Sequence, residues 1–566
     1  MKLKAAGFSA ATTCSSANWF SALFLAAFST IIFALPAVPE TGEEGVNPAE
    51  KWVVAQTAAG EMADLSKRFP EEKDRWLSAH FLEQLLMGSL PGFKLHRKGV
   101  RIIGALIDGP IDLENAQILC EVQLRRCRFS SANFRRASFA GVVLLDGSTF
   151  RAGVNFNSTK VEGGATFKDA VFEGPANFVG ADIASYLEAS RAKFQNKEQG
   201  AQFGGMKVGG YALFMDAVFE GPVNFTGANI ASNFNAAAAK FLNKEKAVLF
   251  IAMKVGQVAV LDKAVFEGPV NFVRADFAGS FQAAAAKFLN KEKVADFNNM
   301  KVGGNASFQD AVFEGPVNFV RAEITGSFLA PQAKFQNKEK VANFNSMKVE
   351  GGAIFKDAVF EGPVNFDYAS FALLDLSKVA GHFHMQEMSY KYIKAAPEEP
   401  ESHKELLKLA DQSAYTADVY NNLEAFFLRQ GYRGDADRAF IAGKRRERRE
   451  NLQGLGWLGS CLLDWLVGYG RRPWQAGIPC AVLVALGCVL FSPKKMEPQK
   501  PEDTPRVYSR FWYSLGLFLP VVDLQTDTVW KPKADQTFLR NYARVHALLG
   551  WILIPIVLAA LTGLIK

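Results

Sequence analysis

The string AVFEGPANF, from Ala170 to Phe178, decides the fold because it recurs at a constant spacing. With Val at its seventh position it begins again at Ala217, Ala264, Ala311 and Ala358, each time 47 residues later. A second string, F-(Q/L)-N-K-E-(K/Q), keeps the same spacing and begins at Phe194, Phe241, Phe288 and Phe335. A fixed period in this range indicates a solenoid or an array of stacked units.

Within one 47-residue unit, the large apolar residues follow steps of four to nine residues, most of them five or six. They are Phe167, Phe172, Phe178, Ile183, Leu187, Phe194, Phe203 and Val208. Such steps fit neither a 3.6-residue helix nor a two-residue strand alternation. They fit a chain that turns a corner about every five residues, so that eight sides make two turns of a four-sided coil. We expect the Asn-Lys-Glu-Lys segments to form polar loops, stacked two turns apart as a ladder of Lys and Glu.

Several segments place Ala two positions before Phe, among them Ala132-Asn133-Phe134, Ala137-Ser138-Phe139, Ala165-Thr166-Phe167, Ala170-Val171-Phe172 and Ala306-Ser307-Phe308. This pattern resembles the pentapeptide-repeat family, whose members form right-handed quadrilateral β-helices around a ladder of Leu or Phe. It departs from that family's stricter A(D/N)LXX form, because Phe dominates and insertions are frequent. The resemblance implies a mainly β fold, with a quadrilateral β-helix over residues 98–385. It implies no particular activity.

The composition excludes some functions. The chain has 566 residues, 48 of them Phe, with 64 basic and 57 acidic residues and a net charge of +7. Residues 101–380 carry 30 Lys or Arg and 28 Asp or Glu. Some pentapeptide-repeat proteins are acidic mimics of duplex DNA, and this balance is too even for such mimicry or for general nucleic-acid binding. We therefore expect no nucleic-acid partner.

Two regions precede the solenoid. Residues 1–40 contain an apolar stretch, Trp19 to Val38, behind a basic start, and we expect a signal peptide or an N-terminal membrane anchor. Residues 50–97 contain a helical pattern. We predict a helical cap there, because a bare first coil would expose its apolar end.

The C-terminal part is predicted to be helical and then membrane-embedded. Residues 400–452 suggest a helix pair that resembles a single tetratricopeptide unit and packs on the solenoid or on a second copy. Residues 453–566 form a membrane domain, with spans at about 473–491 and 547–565 and an interfacial or re-entrant segment at 511–522. Seven basic residues precede the first span and nine follow it, which leaves the orientation open.

Few residues suggest a chemical site. His382 and His384 lie two residues apart, a spacing that could bind a metal on one face of a strand, but the sequence around them suggests no third ligand. Asp523 and Asp527 follow the short apolar segment and would line the path if the two spans formed a pore. The sequence contains nothing that resembles a phosphate loop, a nucleotide fingerprint or a nucleophile elbow. We therefore predict no enzyme and no cofactor.

These observations predict a protein of the bacterial inner membrane that passes the bilayer more than once. Its repeat domain would lie outside the cytoplasm and act as a non-catalytic binding or scaffolding surface for a protein partner. The alternative is a two-helix ion channel in which the solenoid is a regulatory domain. The partner, self-association of the chain and cleavage of the leader are left open.

Overall fold

A computed structural model of the chain describes residues 47–398, 401–499, 507–519 and 529–562. Its central part is a mainly β solenoid of about 13 turns, and helices follow it. The predicted fold class is therefore confirmed. Predictions for residues 1–40 and for Asp523 and Asp527 lie outside the described residues.

Each turn of the solenoid has four short strands, one for each side. In one turn these are Asp182–Ile183, Leu187–Glu188, Lys193–Phe194 and Ala201–Gln202. In the next they are Lys207–Val208, Ala212–Leu213, Val218–Phe219 and Val223–Asn224. Strands of successive turns pair in parallel. The first two sides together make a 25-stranded sheet, and the third and fourth sides make 13-stranded sheets that we call sheet B and sheet C.

The strand register explains the 47-residue period. Asp182 pairs with Lys207, 25 residues later, and Lys207 pairs with Asn229, 22 residues later. One unit is thus a long turn followed by a short one, and the three extra residues of the long turn lie in the Asn-Lys-Glu loop between sheets B and C. The predicted two turns per unit are confirmed.

Phenylalanine fills the axis of the solenoid. All 33 Phe residues between Phe129 and Phe383 are buried, with at most 7% of each exposed. Rings at equivalent positions stack from turn to turn, as Phe288 does on Phe313, with ring centres 4.6 Å apart and planes within 1°. Phe suits this position because the axis offers no partner for a hydroxyl or an indole N–H. At two corners of each turn the chain adopts a left-handed conformation, as at Asp216, with φ of 57°, and at Gly227, with φ of 66°.

Sheet B consists of thirteen short strands. Its strands are Trp76–Ser78, Leu106–Asp108, Arg128–Phe129, Thr149–Phe150, Val171–Phe172, Lys193–Phe194, Val218–Phe219, Lys240–Phe241, Val265–Phe266, Lys287–Phe288, Val312–Phe313, Lys334–Phe335 and Val359–Phe360. In the eleven strands from Arg128–Phe129 onward, the Phe points to the axis and the residue before it points outward, because side chains alternate along a strand.

Helices precede the solenoid and follow it in the chain. They are α1 (Pro48–Ala59), α2 (Ala79–Met87), α3 (Glu401–Gln412), α4 (Ala417–Arg429), α5 (Arg433–Asn451), α6 (Gly454–Val467), α7 (Gly477–Leu490), α8 (Arg510–Phe518) and α9 (Thr537–Leu561). Short elements also occur at Leu65–Arg68, Glu72–Asp74, Pro473–Ala476 and Pro493–Lys495, and Met496–Pro498 pairs with Trp530–Pro532.

The N-terminal region is more than a helical cap. Strand Ala63–Asp64 pairs with Val100–Ile103, and strand Trp76–Ser78 pairs with Leu106–Asp108. The segment between α1 and α2 therefore extends two sides of the coil before the helices cover it. Leu82 and Leu85 of α2 are fully buried in the core that runs through the solenoid.

The region after the solenoid has three helices where the sequence predicted two. Helix α3 precedes the predicted pair, α4 and α5, and its Leu406 and Leu409 join the same core as Ile393 of the last turn. The Asn422 side chain donates to the Met388 carbonyl at 2.9 Å. The helices thus pack on the end of the solenoid and cover its last turn.

Two helical segments are long and apolar enough to cross a membrane. Pro473–Leu490 and Thr537–Leu561 have mean hydropathies of 1.7 and 2.0 in their most apolar windows. Only 17% and 22% of the residues in these windows are buried, far fewer than in a core helix of a soluble protein. The first matches the predicted span closely, and the second begins ten residues before the predicted start.

Candidate functional site

The four Asn-Lys-Glu loops form a continuous ridge along the solenoid, which we call the loop ridge (residues 196–199, 243–246, 290–293 and 337–340). Each of the last three loops contacts the loop two turns earlier. The ammonium group of Lys246 donates to the Glu198 carbonyl at 3.1 Å, and Lys293 and Lys340 repeat this bond at 3.2 and 3.0 Å. The predicted ladder of stacked polar loops is therefore confirmed.

The Asn of each loop binds backbone groups of the loop, and the first Lys lies beside a carboxylate of the next turn. In the third loop, the Asn290 side chain accepts hydrogen bonds from the backbone N–H groups of Glu292 and Lys293. The Lys291 ammonium lies 3.7 Å from the carboxylate of Glu314, in the Glu-Gly-Pro corner of the next turn. This Lys side chain is 77% exposed, so the ion pair contributes little to stability.

The Glu-Gly-Pro corner requires glycine because the loop crosses directly over it. A Cβ atom on Gly315 would lie 2.0 Å from the Asn290 carbonyl oxygen, and one on Gly268 would lie 2.0 Å from the Asn243 oxygen. Such contacts are far inside van der Waals distance. The two strings that define the repeat are thus the two halves of one packed corner.

One residue of each loop has no such role. The loop glutamates Glu198, Glu245, Glu292 and Glu339 are exposed, and we call them the glutamate row. Within the described residues, their carboxylates have no ion-pair partner, whereas the first Lys of each loop has one. Members of the row lie two turns apart, roughly 9.5 Å for ordinary strand spacing.

A second unpaired row lies beside the ridge on sheet B. The residue before the inward Phe alternates between Val and Lys, so that Val218, Lys240, Val265 and Lys287 follow one another in register. We call Lys193, Lys240, Lys287 and Lys334 the lysine row; all four are exposed, and none forms an ion pair with a described residue. The valines between them are partly exposed, and Val359 is 47% exposed. Sheet B therefore presents cations on a partly apolar surface.

Two carboxylates elsewhere on the solenoid have partners within the coil. Arg191 binds Asp169, one turn earlier, through two hydrogen bonds of 2.7 Å. These bonds hold the pKa of Asp169 below its usual range. Asp296, on sheet C, has a raised pKa because it is half-buried, and it accepts hydrogen bonds from Asn298 and Asn318. Both carboxylates therefore bind neighbouring residues of the coil.

An ion-paired junction joins the three-helix region to the apolar segments. Asp464 of α6 accepts two hydrogen bonds of 2.9 Å from Arg445 of α5, and Arg448 lies 3.2 Å away. Arg471 binds Glu424 of α4 and lies 4.4 Å from the Phe440 ring centre. On the side of α6 away from Asp464, the exposed residues are apolar: Leu455, Leu458, Leu462 and Trp465. The junction therefore holds α6 against α5 and leaves its apolar face exposed.

The short apolar segment predicted at 511–522 contains helix α8, which packs between the two candidate spans. A Cβ atom on Gly487 would lie 2.1 Å from the Ser514 hydroxyl oxygen, and one on Gly550 would lie 2.0 Å from the Phe518 carbonyl oxygen. Ser514 also donates to the Val484 carbonyl at 2.8 Å. His546 is fully buried beside it, with Nε2 3.0 Å from the Ser514 carbonyl oxygen. Small residues thus allow close packing of three helices.

His382 and His384, the candidate metal ligands, have no third ligand beside them among the described residues. His382 and His384 are both exposed beside strand Phe383–His384, and the His382 ring lies 3.4 Å from the Gln412 carbonyl oxygen. The described residues contain no cluster of three or more His, Cys, Asp or Glu that could hold a metal ion. The pore candidates Asp523 and Asp527 remain untested.

Two features of the structure, the junction at Asp464 and the lysine row, were not predicted from the sequence. The junction centred on Asp464 had one signal, a single acidic residue within the apolar stretch of residues 455–469. The sequence also contained a signal for the lysine row, because its members are spaced 47 residues apart.

Comparison with known proteins supports the assignment of the repeat. Residues 134–182 match the family model for pentapeptide repeats (9 copies). No curated protein and no solved structure matches the chain. Together with the stacked parallel coils, the match confirms that the sequence contains pentapeptide repeats. It is consistent with a non-catalytic repeat protein that has candidate membrane helices.

Proposed function

We propose that the protein is a membrane-anchored, non-catalytic scaffold, whose solenoid presents a regular outer surface to a protein partner. The observation that carries the proposal is the division of roles in each turn. Phe rings occupy the axis, loop and corner residues hold the turns together, and the lysine and glutamate rows are exposed and form no ion pair with any residue that the structure describes. Charged rows on a rigid repeat suit binding of an extended or repetitive partner.

The anchor in this proposal is the pair of helical segments Pro473–Leu490 and Thr537–Leu561. We place them in the inner membrane of a bacterium, with the solenoid outside the cytoplasm. The exposed apolar face of α6 would lie in the headgroup layer, where Trp465, 65% exposed, suits an interface. The Asp464 junction would then hold the solenoid at a fixed position above the bilayer.

The anchoring can be tested by fractionation and by a topology map. The full chain should resist alkaline extraction from membranes, and a chain that lacks residues 1–40 and ends before Pro473 should be released. Reporters fused after Ala395 and Gln499 should show the first site outside and the second inside the cytoplasm. A cytoplasmic signal at Ala395 would contradict the placement of the solenoid, and membrane retention of the shortened chain would contradict the proposed anchor.

The second candidate function is an ion pore, which the packing of α8 between the two spans supports. A helix, a short packed helix and a second helix are the layout of simple channel subunits. In this alternative Asp523 and Asp527 would line the path. Ion flux through purified protein in liposomes that disappears in the double variant Asp523→Ala, Asp527→Ala would establish the pore and refute the scaffold. Absence of flux in the unmodified protein would favour the scaffold.

A further inference from the structure

Each long turn of the solenoid displays a lysine and a glutamate of opposite charge on one side. Lys240 and Glu245 belong to the same turn, as do Lys287 and Glu292. Lysine-row members are spaced 47 residues apart, and so are glutamate-row members. The rows therefore run parallel along the solenoid at equal heights, with one Lys and one Glu on every second turn.

Neither row is needed to hold the coil together. The lysine row projects from sheet B, where strand pairing and the inward Phe supply the packing. In the loops, Asn and both Lys residues make the contacts within and between turns, through side-chain bonds such as Lys293 to the Glu245 carbonyl oxygen at 3.2 Å. The Glu backbone takes part in the ladder, but its carboxylate has no ion-pair partner among the described residues. Both rows are therefore free to bind a partner.

The geometry of the two rows determines what kind of surface can bind both of them. A surface that satisfies both rows must carry anions and cations in parallel lines, side by side, with the same repeat of two turns. A two-fold axis parallel to the solenoid gives this arrangement with a second copy of the chain. It places the lysine row of one copy opposite the glutamate row of the other at each height, and the reverse contact follows by symmetry. Between the charged levels, the partly exposed valines of sheet B add apolar contact area.

We propose that sheet B and the loop ridge form the interface of a homodimer, in which the lysine row of each copy binds the glutamate row of the other. The proposal rests on the proposed scaffold function and names its partner as a second copy. Exposed ion pairs are individually weak, so the contact depends on several pairs in register. The interface should accordingly weaken at high salt.

The test uses the full chain, fused at its C-terminus to a donor or an acceptor fluorophore and mixed in liposomes. One variant carries Lys240→Glu and Lys287→Glu, and the other carries Glu245→Lys and Glu292→Lys. Each variant alone should associate about tenfold more weakly than the unmodified chain, because like charges then face each other. Mixing the two variants should restore energy transfer between them.

A matched control reverses Lys207 and Lys254 to Glu. These residues are exposed, 47 residues apart and on a different sheet of the solenoid, so their reversal should leave energy transfer unchanged. Far-UV circular dichroism checks that all variants fold. The proposal is overturned if the unmodified chain shows no transfer above that of an unrelated membrane protein, if the control loses as much as the interface variants, or if mixing restores nothing. These readouts are independent of membrane extraction and ion flux, so failure of the dimer and failure of the scaffold function can be told apart.

Discussion

Phe313 provides a direct test of the Phe-filled axis. Its ring is 1% exposed and stacks between Phe288 and Phe335, with ring centres 4.6 and 5.0 Å away. Replacing a buried Phe by a small residue costs about 3–5 kcal/mol, through lost burial and the cavity that remains. In Phe313→Asp the new carboxyl also has no partner at the axis, which adds about 2–7 kcal/mol. The sum of about 5–12 kcal/mol is comparable with the whole stability of a typical domain.

Lys338 offers the control, because the same new residue can be placed on the surface. Its side chain is 77% exposed and lies 3.7 Å from Glu361. In Lys338→Asp this ion pair becomes a repulsion between exposed carboxylates, and we expect a loss of at most about 1 kcal/mol. The difference between the two variants therefore amounts to several kcal/mol.

The assay is urea unfolding of the full chain in detergent, followed by far-UV circular dichroism. Phe313→Asp should lower the unfolding midpoint strongly or unfold the turns around it, and hydrogen exchange should accelerate in peptides that cover those turns. Phe313→Ala serves as a milder variant that keeps the protein folded enough to measure. Equal midpoints for Phe313→Asp and Lys338→Asp would show that Phe313 does not lie at the axis, and the register of the coil would then be wrong.

Three further predictions concern a corner, a thiol and the junction. Gly315→Ala should cost about 1–3 kcal/mol in denaturant unfolding because its Cβ would clash with a loop carbonyl, whereas Gly434→Ala, in open space on a helix, should be neutral or slightly stabilising. Burial raises the pKa of Cys127 to about 12, so at mildly alkaline pH its thiol stays protonated, and it should react with iodoacetamide far more slowly than Cys461 until the chain unfolds. Asp464→Asn should leave unfolding of the solenoid unchanged but accelerate trypsin cleavage at the end of α5, because two Arg side chains lose their carboxylate.

The solenoid could be predicted because its sequence repeats. A five-to-six-residue step of Phe specifies which side chains point inward, and 47 residues specify two turns. Each inference was supported by several copies, so a departure such as Leu261, in place of a Phe, did not obscure the pattern. The stacked loops followed from the same period, since segments of equal phase on a coil must lie one above another.

The flanking regions were less predictable, because each of their contacts occurs once. Helix α3 carries an ordinary amphipathic pattern, and nothing local indicates that Leu406 packs on the last turn. The N-terminal strands are two and three residues long, too short for any alternation to be visible. The partner of Asp464 is 19 residues away, on another helix, and only the fold brings the two together.

The candidate interface illustrates what repetition alone cannot decide. A repeat contains residues that stabilise the coil and residues that do not. The period alone therefore does not tell which Lys and Glu residues stabilise the coil and which can bind a partner. The hydrogen bonds of the structure distinguish the two kinds of residue. Lys246 is needed because it binds the loop two turns earlier, whereas the Glu245 carboxylate and the Lys240 ammonium bind no described residue. Because these two groups recur at the same heights along the solenoid, a surface with the same period can bind both of them. A second copy of the chain has such a surface.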